Sequence, residues 1–258
     1  MSHLLSLSSL TTGYTSHSNP KVVTRGIDAS LEQGKLVCLL GSNGAGKSTL
    51  FRTISSFIPP INGHIILQDK AINQYSKNEL AHFIGVVLTE RLADTNMTGY
   101  DLVSMGRMPH TGFLGITNRT DEQQIKKALD SVGAQPLAKR LVSTLSDGER
   151  QKMLIAKVLA QGTPIILLDE PTAFLDFRSK LELIRMLQNL AHDEGKAILI
   201  STHDIELALQ AADYLWLLFD DGSFKADTPT NLINEGFLAT FLCNLGVSFD
   251  GKRLGYSL

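Results

Sequence analysis

Hydrophobic positions fall into short blocks whose period changes along the chain. Residues 1–35 alternate brief apolar and polar stretches around the turn formers Gly13, Asn19-Pro20, Gly26 and Gly34, and they read as short strands. Leu36–Leu40 is an unbroken apolar run leading straight into a glycine-rich segment. The residues from Ser48 onward read as a helix emerging from that segment. Pro59-Pro60 and Asn62-Gly63 interrupt the chain, and His64–Leu67 and Phe83–Leu88 have the content of strands. From Tyr100 to Gln161 the period becomes helical. Ile125, Ala128, Leu129 and Val132 repeat at i, i+3, i+4, i+7, with Thr120-Asp121-Glu122-Gln123 as a capping box and Gly133 as a stop. A second helix runs from Asp147 to about Ala160 and ends at Gly162. Strands and helices then alternate: Ile165–Leu168, Arg178–Asp193, Ala197–Ser201, Ile205–Ala211 and Tyr214–Phe219, with Asp220-Asp221-Gly222 as a hairpin turn. This alternation predicts an α/β fold with a helix-covered parallel sheet. The helical block at 89–162 interrupts it and reads as an insertion, with 1–88 and 163–258 forming the core around it.

Composition narrows the class. The chain has 258 residues, 43% hydrophobic and 19% charged, which is a globular balance. A net charge of −2 argues against a dedicated nucleic-acid binder, so no nucleic-acid partner is expected. The two cysteines, Cys38 and Cys243, make neither a disulfide framework nor a four-cysteine metal site, which fits a reducing compartment. Cys38, inside Leu36–Leu40, reads as a small buried hydrophobe. No apolar run reaches the roughly 18–20 residues of a membrane span. Met1 to Leu7 lacks the basic start and long apolar core of a signal peptide. Any membrane role is therefore expected to be that of a peripheral subunit.

Gly41-Ser42-Asn43-Gly44-Ala45-Gly46-Lys47-Ser48 matches the phosphate-loop pattern G-x-x-x-x-G-K-[ST] at every fixed position. Glycines let successive N–H groups point into one concavity, and the helix that follows, with Thr49 in its first turn, adds its positive end. Lys47 is the point charge for the β- and γ-phosphates, and the Ser48 hydroxyl suits Mg²⁺, a hard cation. The ligands expected are a nucleoside triphosphate and Mg²⁺, with ATP and GTP both open at this point. Asp169 and Glu170 end the apolar strand Ile165–Leu168, and a parallel strand delivers its C-terminal residues to the ligand rim. Asp169 is the candidate metal acid, and Glu170 the candidate general base for an attacking water. His203 follows the next strand at the same rim, placed to bond the γ-phosphate or orient the water.

With these residues in place, the chain resembles, from about Gly13 to Gly222, the ATP-binding cassette of ABC transporters. That resemblance implies a P-loop NTPase (RecA-like) core with an antiparallel β subdomain and an inserted helical subdomain. Leu145-Ser146-Asp147-Gly148-Glu149-Arg150-Gln151 resembles the family signature LSGGQ. In the family that loop completes the nucleotide site of the opposite subunit, so Ser146 and the Gly148 backbone are implied to contact the γ-phosphate. Asp147 stands where the family has glycine, and Glu149 where it has glutamine. Ser146-x-x-Glu149 is at the same time a sound capping box. Asp147 would weaken closure on an anion unless its carboxylate points away.

In Val86-Val87-Leu88-Thr89-Glu90-Arg91, Thr89 matches the position of a metal-touching glutamine that also senses the transmembrane partner, and Glu90 is a possible substitute. Tyr14 resembles the aromatic that stacks on adenine, which favours ATP. Pro171-Thr172-Ala173-Phe174-Leu175-Asp176 resembles the loop lining the dimer interface, with Asp176 as its acid. A single phosphate loop and a single signature imply a head-to-tail homodimer. Two integral-membrane permease subunits and, indirectly, an extracytoplasmic solute-binding protein are the further partners implied, at the cytoplasmic face of the inner membrane. Met105-Gly106-Arg107-Met108-Pro109-His110, continued by Thr111-Gly112-Phe113-Leu114-Gly115, is similar to a stretch in importers of iron–siderophore, haem and cobalamin complexes. The alternatives are an ABC ATPase of another transport class, or a soluble ABC ATPase of iron–sulfur assembly.

Overall fold

The structure is a computed structural model that describes residues 3–15, 20–88, 96–111, 117–249 and 254–256. Strands β1 (His3–Tyr14) and β2 (Lys21–Glu32) open the chain, followed by β3 (Leu36–Leu40) and helix α1 (Lys47–Ile54). Next come β4 (Asn62–Leu67), β5 (Lys70–Ala71), α2 (Lys77–Phe83) and β6 (Ile84–Val87). The helical block holds α3 (Gly99–Ser104), α4 (Arg119–Ser131) and α5 (Asp147–Gln161). The chain then alternates through β7 (Ile165–Leu168), α6 (Phe177–His192), β8 (Ala197–Thr202), α7 (Ile205–Ala211) and β9 (Tyr214–Leu218). It closes with β10 (Phe224–Asp227), α8 (Pro229–Asn234), α9 (Phe237–Asn244), β11 (Val247–Phe249) and β12 (Leu254–Tyr256).

The central sheet has the order β10-β9-β3-β8-β7-β6. All its pairings are parallel except β10 on β9. A second, antiparallel sheet, β2-β1-β4-β5, packs beside it. Strands β3, β7, β8 and the inner part of β9 are buried throughout, because helices or a second sheet cover both faces. Side chains alternate between faces with period two. Leu36, Cys38 and Leu40 therefore enter one core with Ile166, Leu168, Ile198 and Ile200, packed against α3–α9. Val37 and Leu39 enter the other, with Ile165, Leu167, Leu199 and Trp216, against α1 and the antiparallel sheet. Each fully buried Leu or Ile contributes about 1.5–3 kcal/mol.

Two expectations need correction. The opening region is two 12-residue strands, not several short ones. Gly13 and Gly26 lie inside them at register shifts, where a bulge bends a strand without ending it. Helix α4 is capped by Asn118, not Thr120: the Asn118 side chain accepts from the Asp121 amide, and Asp121 accepts from the Asn118 amide. Asn118 leads the helix because Asp121 is also held by Arg107, 2.9 Å away, inside the protein. The hairpin at Asp220–Gly222 is present as expected, closed by Gly222 N–H to Phe219 O.

Candidate active site

Parallel pairing sets the site. Leu40 lies opposite Thr202 and Leu217, and Leu168 opposite Val87 and Ile200, so β3, β6, β7, β8 and β9 all end at one rim. The glycine-rich loop leaves β3 there, Asp169-Glu170 leave β7, His203 leaves β8 and Asp220 follows β9. Thr89 and Glu90, just past β6, lie outside the described residues.

The loop wraps a cleft of about 490 Å³ lined by Tyr14, Lys21, Val22, Val23, Ser42 to Thr49, Glu170 and Asp220. Gly46 has φ 111°, and a Cβ there would stand 2.4 Å from Val23 Cγ1, so conformation and space both demand glycine. As the N-cap of α1, Gly46 offers no side-chain cap, and the first-turn N–H groups remain for an anion. Lys47 is buried and donates to Gly41 O at 2.8 Å and Ser42 O at 3.2 Å. Its Nζ is also 3.3 Å from Glu170 Oε1. Tyr14 O–H lies 3.1 Å from Thr49 Oγ1, which seats the ring against the loop. Ser42 donates its hydroxyl to Asp220.

Glu170 adopts φ 50°, in the left-handed region. Its N–H donates to Ser201 Oγ at 2.8 Å, and Ser201 O–H donates to Asp169 Oδ1 at 2.6 Å. One serine thus fixes both acids. His203 Nδ1 lies 2.9 Å from Glu170 Oε2; an ionised carboxylate only accepts, so Nδ1 carries the proton. The Glu170 carboxylate is therefore clasped between an ammonium and an imidazole.

Ser146 and Gly148 line a different cavity, with Leu175 and Ser179, and take no part in the phosphate cleft of their own chain. Ser146 caps α5 in a complete capping box with Glu149. Its amide, reinforced by Arg140, holds the Glu149 carboxyl below the usual carboxylate range. Asp147 is 65% exposed at its side chain and loosely paired with Arg150 at 3.8 Å, so its carboxylate points outward. Asp176 caps α6: its Oδ1 accepts from the Ser179 amide and its Oδ2 from the Ser179 hydroxyl, both at 2.9 Å, and these bonds hold its carboxyl low.

A family model described as ABC transporter matches residues 24–173. The chain belongs to the ABC transporter family. An uncharacterized ABC transporter ATP-binding protein of Methanocaldococcus jannaschii is 39% identical over 254 residues, covering 98% of this chain and 84% of that protein. The iron(3+)-hydroxamate import ATP-binding protein FhuC of Bacillus subtilis is 34% identical over 218 residues, covering 84% and 81%. A solved structure of an inward-facing metal-chelate type ABC transporter superposes with a TM-score of 0.81 at 28% identity, covering 94% of this chain and 90% of that one. The cassette is a P-loop NTPase with an antiparallel β part and an inserted helical part, and it is an ATPase.

The donor chemistry of the cassette fits Mg²⁺. Ser48 brings a hydroxyl to the cleft, and Asp169 is a buried carboxylate oriented by Ser201; both supply hard oxygen ligands. Among the described residues no three His, Cys, Asp or Glu side chains gather into a cage, and magnesium needs none when phosphate oxygens and waters complete its shell. Sequence reasoning missed Ser201, Asp220, Lys21, Val22 and Val23. Ser201 had a usable signal, since it lies two positions before His203 on the same rim-directed strand. Lys21 and the valines had none, because only the packing of the antiparallel sheet brings β2 to the cleft.

Proposed function

We propose that this chain is the ATP-hydrolysing subunit of an importer for an iron–siderophore, haem or cobalamin complex. The observation that carries the reading is the rim where Lys47, Glu170 and His203 form one connected group at the mouth of the phosphate loop. Residues 1–88 and 163–258 act as the nucleotide-binding core, and 89–162 as the inserted helical subdomain.

ATP lies along the cleft with its base on Tyr14 and its phosphates in the amides of Gly41 to Thr49. Lys47 turns its ammonium to the β- and γ-phosphates. Ser48 and Asp169 would hold Mg²⁺, which would supply charge neutralisation at the phosphate oxygens. Glu170 accepts a proton from the water that attacks the γ-phosphorus. The bond to the bridging oxygen breaks, and ADP and inorganic phosphate leave. Such a base supplies about 10²–10⁴ in rate. His203, donating to the far oxygen of Glu170, keeps the carboxylate aimed. Thr89 is the further candidate metal contact.

Ser146 and Gly148 face the γ-phosphate of a second copy, paired head to tail, with the Asp176 segment between the two chains. The separation of their cavity from the chain's own phosphate cleft supports this arrangement. Two permease subunits and, through them, an extracytoplasmic solute-binding protein complete the assembly at the cytoplasmic face of the membrane. Among the described residues no helix is long and apolar enough to cross a membrane. The cargo class rests on the iron(3+)-hydroxamate and metal-chelate relatives.

The test is purification of the tagged full chain from detergent-solubilised membranes, together with uptake of a ferric siderophore by cells carrying wild type or Glu170→Gln. Recovery with a polytopic permease, and loss of uptake in the variant, is expected. Recovery with soluble partners alone, and unchanged uptake, would contradict the importer reading and favour an assembly ATPase.

A further inference from the structure

The turn leading into α5 carries two acids beside the serine assigned to a partner's phosphate, and two arginines that answer them. We propose that Arg140 is a positioning residue for ATP hydrolysis: it neutralises Glu149 and locks the Ser146 capping box, so that α5 offers its N-terminus to the phosphate free of net negative charge. This rests on the reading of Ser146 and Gly148 as phosphate-facing.

Arg140 reaches across the turn with both ends of its guanidinium. Nη1 donates to Glu149 Oε1 at 2.9 Å, and Nη2 donates to Thr144 O at 2.8 Å. The other Glu149 oxygen, Oε2, accepts from the Ser146 amide at 2.9 Å, and Ser146 Oγ accepts from the Glu149 amide at 3.3 Å. Each carboxylate oxygen therefore has a donor. The serine oxygen is engaged as an acceptor within its own helix, which leaves its hydroxyl proton to donate outward, the polarity that an anion requires. The Arg140 backbone is itself anchored, since its carbonyl accepts from the Gly99 amide at 2.9 Å at the start of α3.

The two acids differ in what they need. Asp147 stands in solvent and is screened there, with Arg150 loosely beside it. Glu149 is hydrogen-bonded to Ser146 itself, so its charge sits one bond from the proposed phosphate contact. Without Arg140 that charge would repel the incoming phosphate. Arg140 and Glu149 are both partly exposed, and such pairs add little to folding, so the pair can be broken without unfolding the chain.

The experiment uses the full-length chain as wild type, Arg140→Gln, Glu149→Gln, the double variant and Gly148→Asp. ATPase is measured against ATP, protein and salt concentration, together with Tm and the nucleotide affinity of the dilute chain. Arg140→Gln is expected to lower kcat about tenfold at low salt, the scale of one charge-assisted hydrogen bond. The loss should shrink as salt screens the repulsion. Tm and the dilute-chain affinity should hold. In the Glu149→Gln background the Arg140 substitution should add no further loss, because no charge remains to neutralise and the amide oxygen still accepts from Ser146. An equal loss in both backgrounds would make Arg140 merely structural and overturn the proposal, as would full activity of Arg140→Gln beside an inactive Gly148→Asp. Wild-type turnover by Gly148→Asp would instead overturn the reading of the signature loop, and the proposal with it.

Discussion

Glu170 leaves β7 with φ 50°, a conformation that costs a non-glycine residue about 1–3 kcal/mol and that sets its carboxylate between Lys47 and His203. Strain of this kind persists where the surroundings over-determine it, and here Ser201 holds both the Glu170 amide and the Asp169 carboxylate. Glu170→Gln keeps the shape and loses the proposed proton acceptor. Hydrolysis should fall by about 10²–10⁴ while nucleotide still binds, as radiometric ATPase and equilibrium binding assays can show. Lys47→Ala removes the only buried ammonium lining the cleft among the described residues, and calorimetry should lose the tight-binding signal. Burial pushes the Cys38 thiol far up, whereas Cys243 is exposed. A thiol reagent should therefore label one cysteine in the folded chain and both in denaturant. Gly41 to Ser48 was readable because fixed spacing along one loop encodes the anion site. Asp220 was not, because a common residue type reaches the cleft from a distant segment.

Helix α5 and the strands of the parallel sheet were legible from period and caps: α5 ends at Gly162 with φ 78°, as the pattern predicts. The start of α4 was misread because two capping boxes overlap, their caps Asn118 and Thr120 two positions apart, and a tertiary contact decides between them. That contact is the buried pair Arg107–Asp121, with Arg107 also donating to Ala160 O at 2.7 Å. It ties the turn after α3 to both α4 and the end of α5. Arg107→Ala strands a buried carboxylate and should cost roughly 3–5 kcal/mol, read from the urea midpoint. The Asn118 amide, then Arg107, hold the Asp121 carboxyl below its unfolded value of about 3.9. The native state thus binds this proton less readily. The stabilisation is present in full above the unfolded pKa and fades as pH falls through the native one. The stability gap between wild type and Asp121→Asn should therefore stay level from pH 7 to about 5 and narrow below about pH 4. Helices α8 and α9 went unread in the sequence, because short C-terminal segments lack the repeats that define a period.

At the scale of the molecule, strand direction does the assembling. Parallel pairing collects the ends of β3, β7, β8 and β9 at one rim, and the antiparallel sheet closes one side of the cleft with Tyr14 and Val23. The signature segment stands apart in its own cavity. On the proposed reading each chain is half of two sites, and hydrolysis needs a second copy. The most direct test is sedimentation of Glu170→Gln with and without Mg-ATP. The account predicts one chain's mass without nucleotide and two with it, the paired form reverting when Ser146 is also replaced by arginine. A single chain's mass under every condition, with ATP bound, would contradict it.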